Sequence, residues 1–156
     1  MGRAKAAGRE QRAGWYLAAA AVVAIVLWLT VREDQAVTWQ NLTGGNYVPL
    51  KHHWAALVCV LEGCANATAA WHYLLVDVVG NVVLFIPVGF TFAGALGGRG
   101  RGRWWRWAWA VGAAFLLSCG IEAAQLVMPS RATDVDDVLF NTLGAMLGAL
   151  VAPGRD

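Results

Sequence analysis

Charge is what this sequence has least of. Only 14% of its 156 residues are Asp, Glu, Lys or Arg, where an ordinary globular domain carries roughly 25%. Against that stand 58% hydrophobic residues, nine tryptophans and a mean hydropathy of +0.50. A soluble domain of this size has too few charges to cover so much apolar surface. A disordered chain, a nucleic-acid-binding domain and most cytosolic enzymes are excluded, leaving a small polytopic membrane protein. Other absences narrow the reading. No small-x-small cleavage signal follows the first apolar run, which meets Arg32, Glu33 and Asp34 directly, so that run reads as a retained signal anchor. Residue 6 is Ala rather than Ser or Thr, which argues against N-myristoylation. There is no C-x-x-C spacing and no recognisable nucleophile–base pair.

Four apolar stretches appear when charges serve as punctuation: residues 15–31, 73–96, 104–128 and 137–152. A membrane span needs about 20 residues at 1.5 Å rise, within a range of about 17–25, so the fourth is short. The expected architecture is all-α with four transmembrane helices. A basic tail over 1–14 precedes a membrane domain over 15–152. Lysine and arginine set the orientation. Nine of the twelve lie in the tail, in the segment Arg99–Arg106 around the start of the third stretch, or at the C-terminus; the other side holds Arg32, Lys51 and Arg131. Both termini are therefore expected in the cytoplasm, with a long loop over 32–72 and a short one over 129–136 facing out. Gly97–Arg103 (GGRGRGR) then reads as a cytoplasmic turn with topogenic charges, and no nucleic-acid partner is expected.

An ionisable group inside a span costs roughly 2.5–3.5 kcal/mol at the helix centre, so each one present needs a reason. On the expected topology they gather at the outer end. Asp77 and Asn81 are i, i+4 near the start of the second span. Ser118, Glu122 and Gln125 share one stripe near the end of the third. Asp137, Asn141, Gly144 and Gly148 share one on the fourth, behind Asp134 and Asp136. Gly144-x-x-x-Gly148 is a small-residue packing face that would draw the fourth span close to a neighbour. Arg131 is the nearby basic residue and the natural partner for Glu122 or Asp137. A purely structural account competes with a functional one. The three aspartates suit the N-terminus of the fourth span, and Asn81, Gln125 and Asn141 could simply bond helices together.

Three segments carry a family resemblance. Asn81-Val-Val-Leu-Phe-Ile-Pro-Val-Gly89, Glu122-Ala-Ala-Gln125 and Arg131-Ala-Thr-Asp134-Val-Asp136-Asp137-Val-Leu-Phe-Asn141-Thr-Leu-Gly144 resemble, in order, the motifs of the VanZ-like family. Asn46-Tyr-Val-Pro49 is similar to that family's N-L-x-P-F element, with Leu50 where an aromatic is usual. The resemblance implies a small multi-helix protein of the bacterial plasma membrane, linked to resistance to lipoglycopeptides such as teicoplanin.

The long loop is expected to hold structure of its own, because about 41 residues are too many for a bare connection. Its apolar Trp54–Leu61 is too short to span and reads as an interfacial or re-entrant helix. Cys59 and Cys64, on the oxidising side, are candidates for a disulfide, and Cys119 for a packing residue. His52, His53 and Glu62 beside them do not make a metal site by spacing, since adjacent histidines on a helix point in different directions, and no cofactor is expected.

The favoured reading is an outward-facing polar site that binds a membrane lipid, a lipid-linked cell-wall precursor or a glycopeptide. Its residues would be Asp77, Asn81, Glu122, Gln125, Arg131, Asp134, Asp137 and Asn141. Two alternatives stay open. One is an outer-face enzyme on a lipid headgroup, with Glu122 as general acid or base and a divalent ion at the aspartates. The other is a structural subunit of a larger envelope complex, with a protein partner.

Overall fold

The computed structural model describes residues 2–31, 46–97, 102–128 and 133–153. These form helices: α1 Gly2–Val31, α2 Lys51–Leu61, α3 Ala67–Leu74, a π-helical turn Leu75–Val79, α4 Gly80–Ala95, α5 Arg103–Gln125 and α6 Val135–Val151. One parallel bridge, Asn46 to Asp134, is the β-type pairing among the described residues. Three helices are long and apolar enough to cross a membrane: Gly8–Val31, the run Ala67–Ala95 that joins α3, the π turn and α4, and Arg103–Gln125. Leu17, Ile25, Trp28 and Leu116 are exposed on them, as lipid-facing side chains would be.

The boundaries differ from the expected ones in physically simple ways. The second long helix starts at Ala67 rather than Tyr73. His72 interrupts the apolar run but not the backbone, and Ala67, Ala69 and Ala70 are good helix formers. The helix of the third stretch ends at Gln125, short of Met128, and that of the fourth begins at Val135, with Asp134 as its cap. Arg131, Arg99, Arg101 and Arg155 lie outside the described residues, as do residues 32–45 of the long connection.

α4 is central, packing against α1, α5 and α6, while α6 also packs along α5. Val26, Phe85, Val88, Ala114, Ile121 and Ala145 from these four helices form the main core. The α4–α6 contact is backbone to backbone. A Cβ on Gly144 would collide with the Val82 carbonyl, one on Gly148 with the Ile86 carbonyl, and one on Gly89 with the backbone of Ala145. The Gly144-x-x-x-Gly148 face thus points into the bundle, at α4. The helix α4 runs on through Pro87, where Thr91 Oγ1 donates to the Pro87 carbonyl at 2.8 Å.

The two ends of the bundle differ in charge. Where α5 begins and α6 ends, Arg103 and the buried Arg106 donate to the carbonyls of Leu150 (2.8 Å) and Pro153 (3.0 Å). Cations there suit the negative end of the α6 dipole. The opposite end, where α5 finishes and α6 starts, carries Glu122, Asp134, Asp136 and Asp137.

Beside that acidic end sits a helical hairpin. α2 has 11 residues, about 16 Å, too short to span. Its backbone lies close to that of α3, and His53 carries its contact with α6. A Cys59–Cys64 disulfide, Cα atoms 5.1 Å apart, closes the turn between them.

Candidate functional site

The site begins with the cap of α6. Asp134 is extended (φ −130°, ψ 119°), and its carboxylate accepts the Asp136 N–H at 2.9 Å, the ordinary N-cap bond. The Asp134 N–H donates to Glu122 Oε2 on α5 at 2.8 Å. Capping thereby fastens two helices together. Asn46 lies alongside: its N–H donates to the Thr133 carbonyl (2.8 Å), and its own carbonyl accepts from Val135 N–H (3.1 Å). Its side-chain amide donates to both Asp134 Oδ1 (2.9 Å) and Asp136 Oδ2 (3.0 Å).

Asp136 is the hub. It is fully buried and accepts from Asn46, from the Leu50 N–H at 2.7 Å and from His53 Nδ1 at 2.9 Å. Leu50 is held in the left-handed region at φ 60°, uncommon for a residue with a Cβ, where its N–H meets this carboxylate and α2 begins at the next residue. The other ring nitrogen of His53, Nε2, lies 2.8 Å from Asp77 Oδ2. Tyr73 and Phe140 flank the imidazole at ring-centroid distances of 5.1 and 5.0 Å. Asp77 reaches it from the π turn, a local widening that recurs at functional positions in helices.

A neutral imidazole has one N–H, whereas His53 faces a carboxylate at each nitrogen. Burial pushes its pKa down, but hydrogen bonds to Asp77 and Asp136, and their charges, push harder, and the net shift is upward from 6.5. The Asp134 carboxyl is also raised. Burial is the main cause, opposed by the bonds it accepts from the Asp136 backbone and from Asn46. His53 stabilises the fold fully below its unfolded value of 6.5, and that contribution disappears as pH rises through its higher folded value. Thermal unfolding in detergent should accordingly show the wild type losing stability as pH rises above 6.5, with a much flatter profile for His53→Gln. Parallel profiles for the two proteins would refute the assignment.

The expected site residues separate into groups. Asn81 donates to Asp137 Oδ1 at 2.7 Å, tying α4 to α6. One turn deeper, Asn141 donates to the buried Ser118 hydroxyl at 2.9 Å, and its Oδ1 has no protein partner. Asp77, Glu122 and Asp134 join the network around Asp136. Gln125 points elsewhere: it is buried and donates to the Thr30 carbonyl at the end of α1, 3.2 Å away, linking two helices outside the cluster. Arg131 falls outside the described residues.

Three residues absent from the expected set prove central: Asn46, His53 and Asp136. Asn46 and His53 are 90 and 83 residues from Asp136 in sequence, so no helical spacing could reveal them. Asp136 reads as an N-terminal acid of α6, off the Asp137–Asn141–Gly144 stripe. A usable signal was Phe140 four residues on, which shares its face and packs against His53. Among the described residues no cluster of three or more His, Cys, Asp and Glu is arranged to hold a metal ion.

A family model described as VanZ/LLP1 matches residues 15–154, nearly the whole chain. The protein belongs to the VanZ/LLP1 family. In this member the motifs recognised in sequence are structural neighbours: Asn81 of the first bonds the start of α6, Glu122 of the second holds the Asp134 backbone, and the third supplies the cap itself. No curated protein and no solved structure matches the chain.

Proposed function

We propose that the acid-rich end of this VanZ-family membrane protein is an outward-facing site that binds a lipid-linked or glycopeptide ligand at the bacterial plasma membrane. On this reading α6 is the fourth span, both termini are cytoplasmic, and the family's link to lipoglycopeptide (teicoplanin) resistance reflects capture of that ligand. The observation that carries the proposal is His53 held between Asp77 and Asp136, with Asn46 on the same carboxylate. Helix bonding alone needs no buried ionic network at one end of a bundle, because such networks are costly to desolvate and add little net stability. Its concentration at a single level, opposite a basic end, supports a recognition site. The carboxylates suit a ligand amine, and Arg131 a phosphate or carboxylate.

The test is mass spectrometry of lipids and wall precursors that co-purify with the protein in native lipid. Wild type should carry an enriched species that Arg131→Ala and Glu122→Ala lose at equal membrane abundance. Identical lipid profiles in all three proteins would leave only the bonding role.

One observation favours the enzymatic alternative as a second reading. Asp136 anchors His53 Nδ1 from a fully buried position and so orients the imidazole for proton exchange between Nε2 and Asp77, the partly exposed acid 2.8 Å away. Turnover of a lipid headgroup that disappears in His53→Gln while ligand binding persists would distinguish it.

A further inference from the structure

The hairpin of α2 and α3 encloses a slot of about 430 Å³, outside the carboxylate network. Its walls are two matched stripes. On α2, His52, Ala55, Ala56 and Cys59 recur at i, i+3, i+4 and i+7; Asn66, Ala69, Ala70 and Tyr73 repeat that spacing along α3. Alanine at the middle of both stripes leaves space where Leu or Phe would have filled the gap. The volume lies within the roughly 300–1,000 Å³ of small-molecule sites, and the lining is mostly apolar, with His52, Asn66 and Tyr73 as its polar members. Because the helices are antiparallel neighbours, the slot has unlike ends. The Cys59–Cys64 disulfide lies at one end of the two stripes; His52 and Tyr73, whose ring contacts His53, lie at the other. An apolar slot about 10 Å long therefore leads away from the polar network.

We infer that this slot takes a hydrocarbon chain of a bilayer lipid whose headgroup sits against the His53–Asp77–Asp136 network. The inference rests on the ligand-binding reading of that network and names the class of molecule. The bilayer is the source because of where the hairpin stands. α3 is continuous with an apolar helix of 29 residues, about 43 Å against a hydrocarbon core of about 30 Å. Trp54, Leu61 and Trp71 are exposed on the outside of the hairpin, aromatic and aliphatic anchors of the kind that hold a segment at the membrane interface. A chain entering there exchanges one apolar surrounding for another while its headgroup reaches Asp77, the partly exposed carboxylate of the network. A zwitterionic amine headgroup fits that end.

The experiment uses the full chain in vesicles of phosphatidylethanolamine and phosphatidylglycerol containing a phosphatidylethanolamine with a diazirine on its acyl chain. Photolabelled positions are mapped by peptide mass spectrometry. Label should concentrate on Ala55–Cys59 and Ala69–Tyr73 and fall by about tenfold in Ala56→Phe, which fills the slot. Ala70→Leu serves as a second filling variant, and Leu57→Phe, on the exposed side, should label as wild type does. Label spread over lipid-facing residues such as Leu17, Ile25 and Leu116, and unchanged in both filling variants, overturns the inference. A co-purifying ligand that depends on Glu122 with no label in the slot removes the chain site alone. Slot label that is unaffected by Asp77→Asn keeps the chain site and removes the headgroup reading.

Discussion

Replacing Asp136 with Ala should be the most damaging single change at the acidic end, costing about 3–5 kcal/mol of stability, the usual cost of stripping one partner from a buried ionic network. Asp136 is fully buried and accepts from three donors on three residues: the Asn46 amide, the Leu50 backbone and His53 Nδ1. Alanine leaves all three without an acceptor in a buried setting, and each unmet donor costs about 1–3 kcal/mol unless water enters. The loss is also positional. The Leu50 N–H and the His53 side chain fix the start of α2 to α6, while the α2 backbone lies close to that of α3. Hydrogen exchange over residues 51–61 should therefore rise in Asp136→Ala even at temperatures where the long helices stay folded. Asp136→Asn retains an acceptor oxygen and should lose roughly 1–3 kcal/mol. A thermal midpoint for Asp136→Ala equal to wild type would show that the hub is not a hub.

Gly148→Ala should be the most damaging change outside that cluster, although it adds a single methyl group. The added Cβ falls on the Ile86 carbonyl of α4, backbone rather than a flexible side chain, so the helices themselves must separate. Overpacking of this kind costs about 1–3 kcal/mol, and Gly148→Leu should exceed it. Separation also propagates. Asn81 meets Asp137 across this same α4–α6 contact at 2.7 Å, so Gly148→Ala should weaken ligand retention as well as the fold. Gly120→Ala is the control: a Cβ there meets nothing within 4 Å, and a mid-helix alanine should be neutral or stabilising by up to about 1 kcal/mol. Equal thermal midpoints for Gly148→Ala and Gly120→Ala would mean that α4 and α6 are not in backbone contact.

Particular residues show why sequence carried the reading only part of the way. The helix faces were legible because helical spacing is a local code. Ser118 with Glu122 and Asp137 with Asn141 fall on common stripes by arithmetic alone, whereas the π turn at Leu75–Val79 breaks that arithmetic between Asp77 and Asn81. The glycine pair at 144 and 148 announced close packing but not its partner, since a small-residue face fits any helix that presents a complementary surface. His53 was opaque for a different reason. Beside His52 and ahead of an apolar run, it has the same local signature as its neighbour, yet His52 lines the slot and His53 joins the network. A rotation of about 100° about α2 separates the two roles.

The amino-acid sequence by itself determined the class of protein, its long apolar helices and the family to which it belongs. Composition and periodicity are enough for that, because a bilayer accepts little besides helices and charges a high cost for every ionisable residue placed within it. Tertiary structure alone decided which carboxylate lies at the centre. Asp134, Asp136 and Asp137 are nearly equivalent as residues at the start of α6. They became a cap, a hub and an interhelical acceptor only when Asn46, His53 and Asn81 arrived from distant parts of the chain. Desolvation makes that difference: a buried carboxylate is stable only where donors surround it, and the fold, not the local sequence, brings the donors.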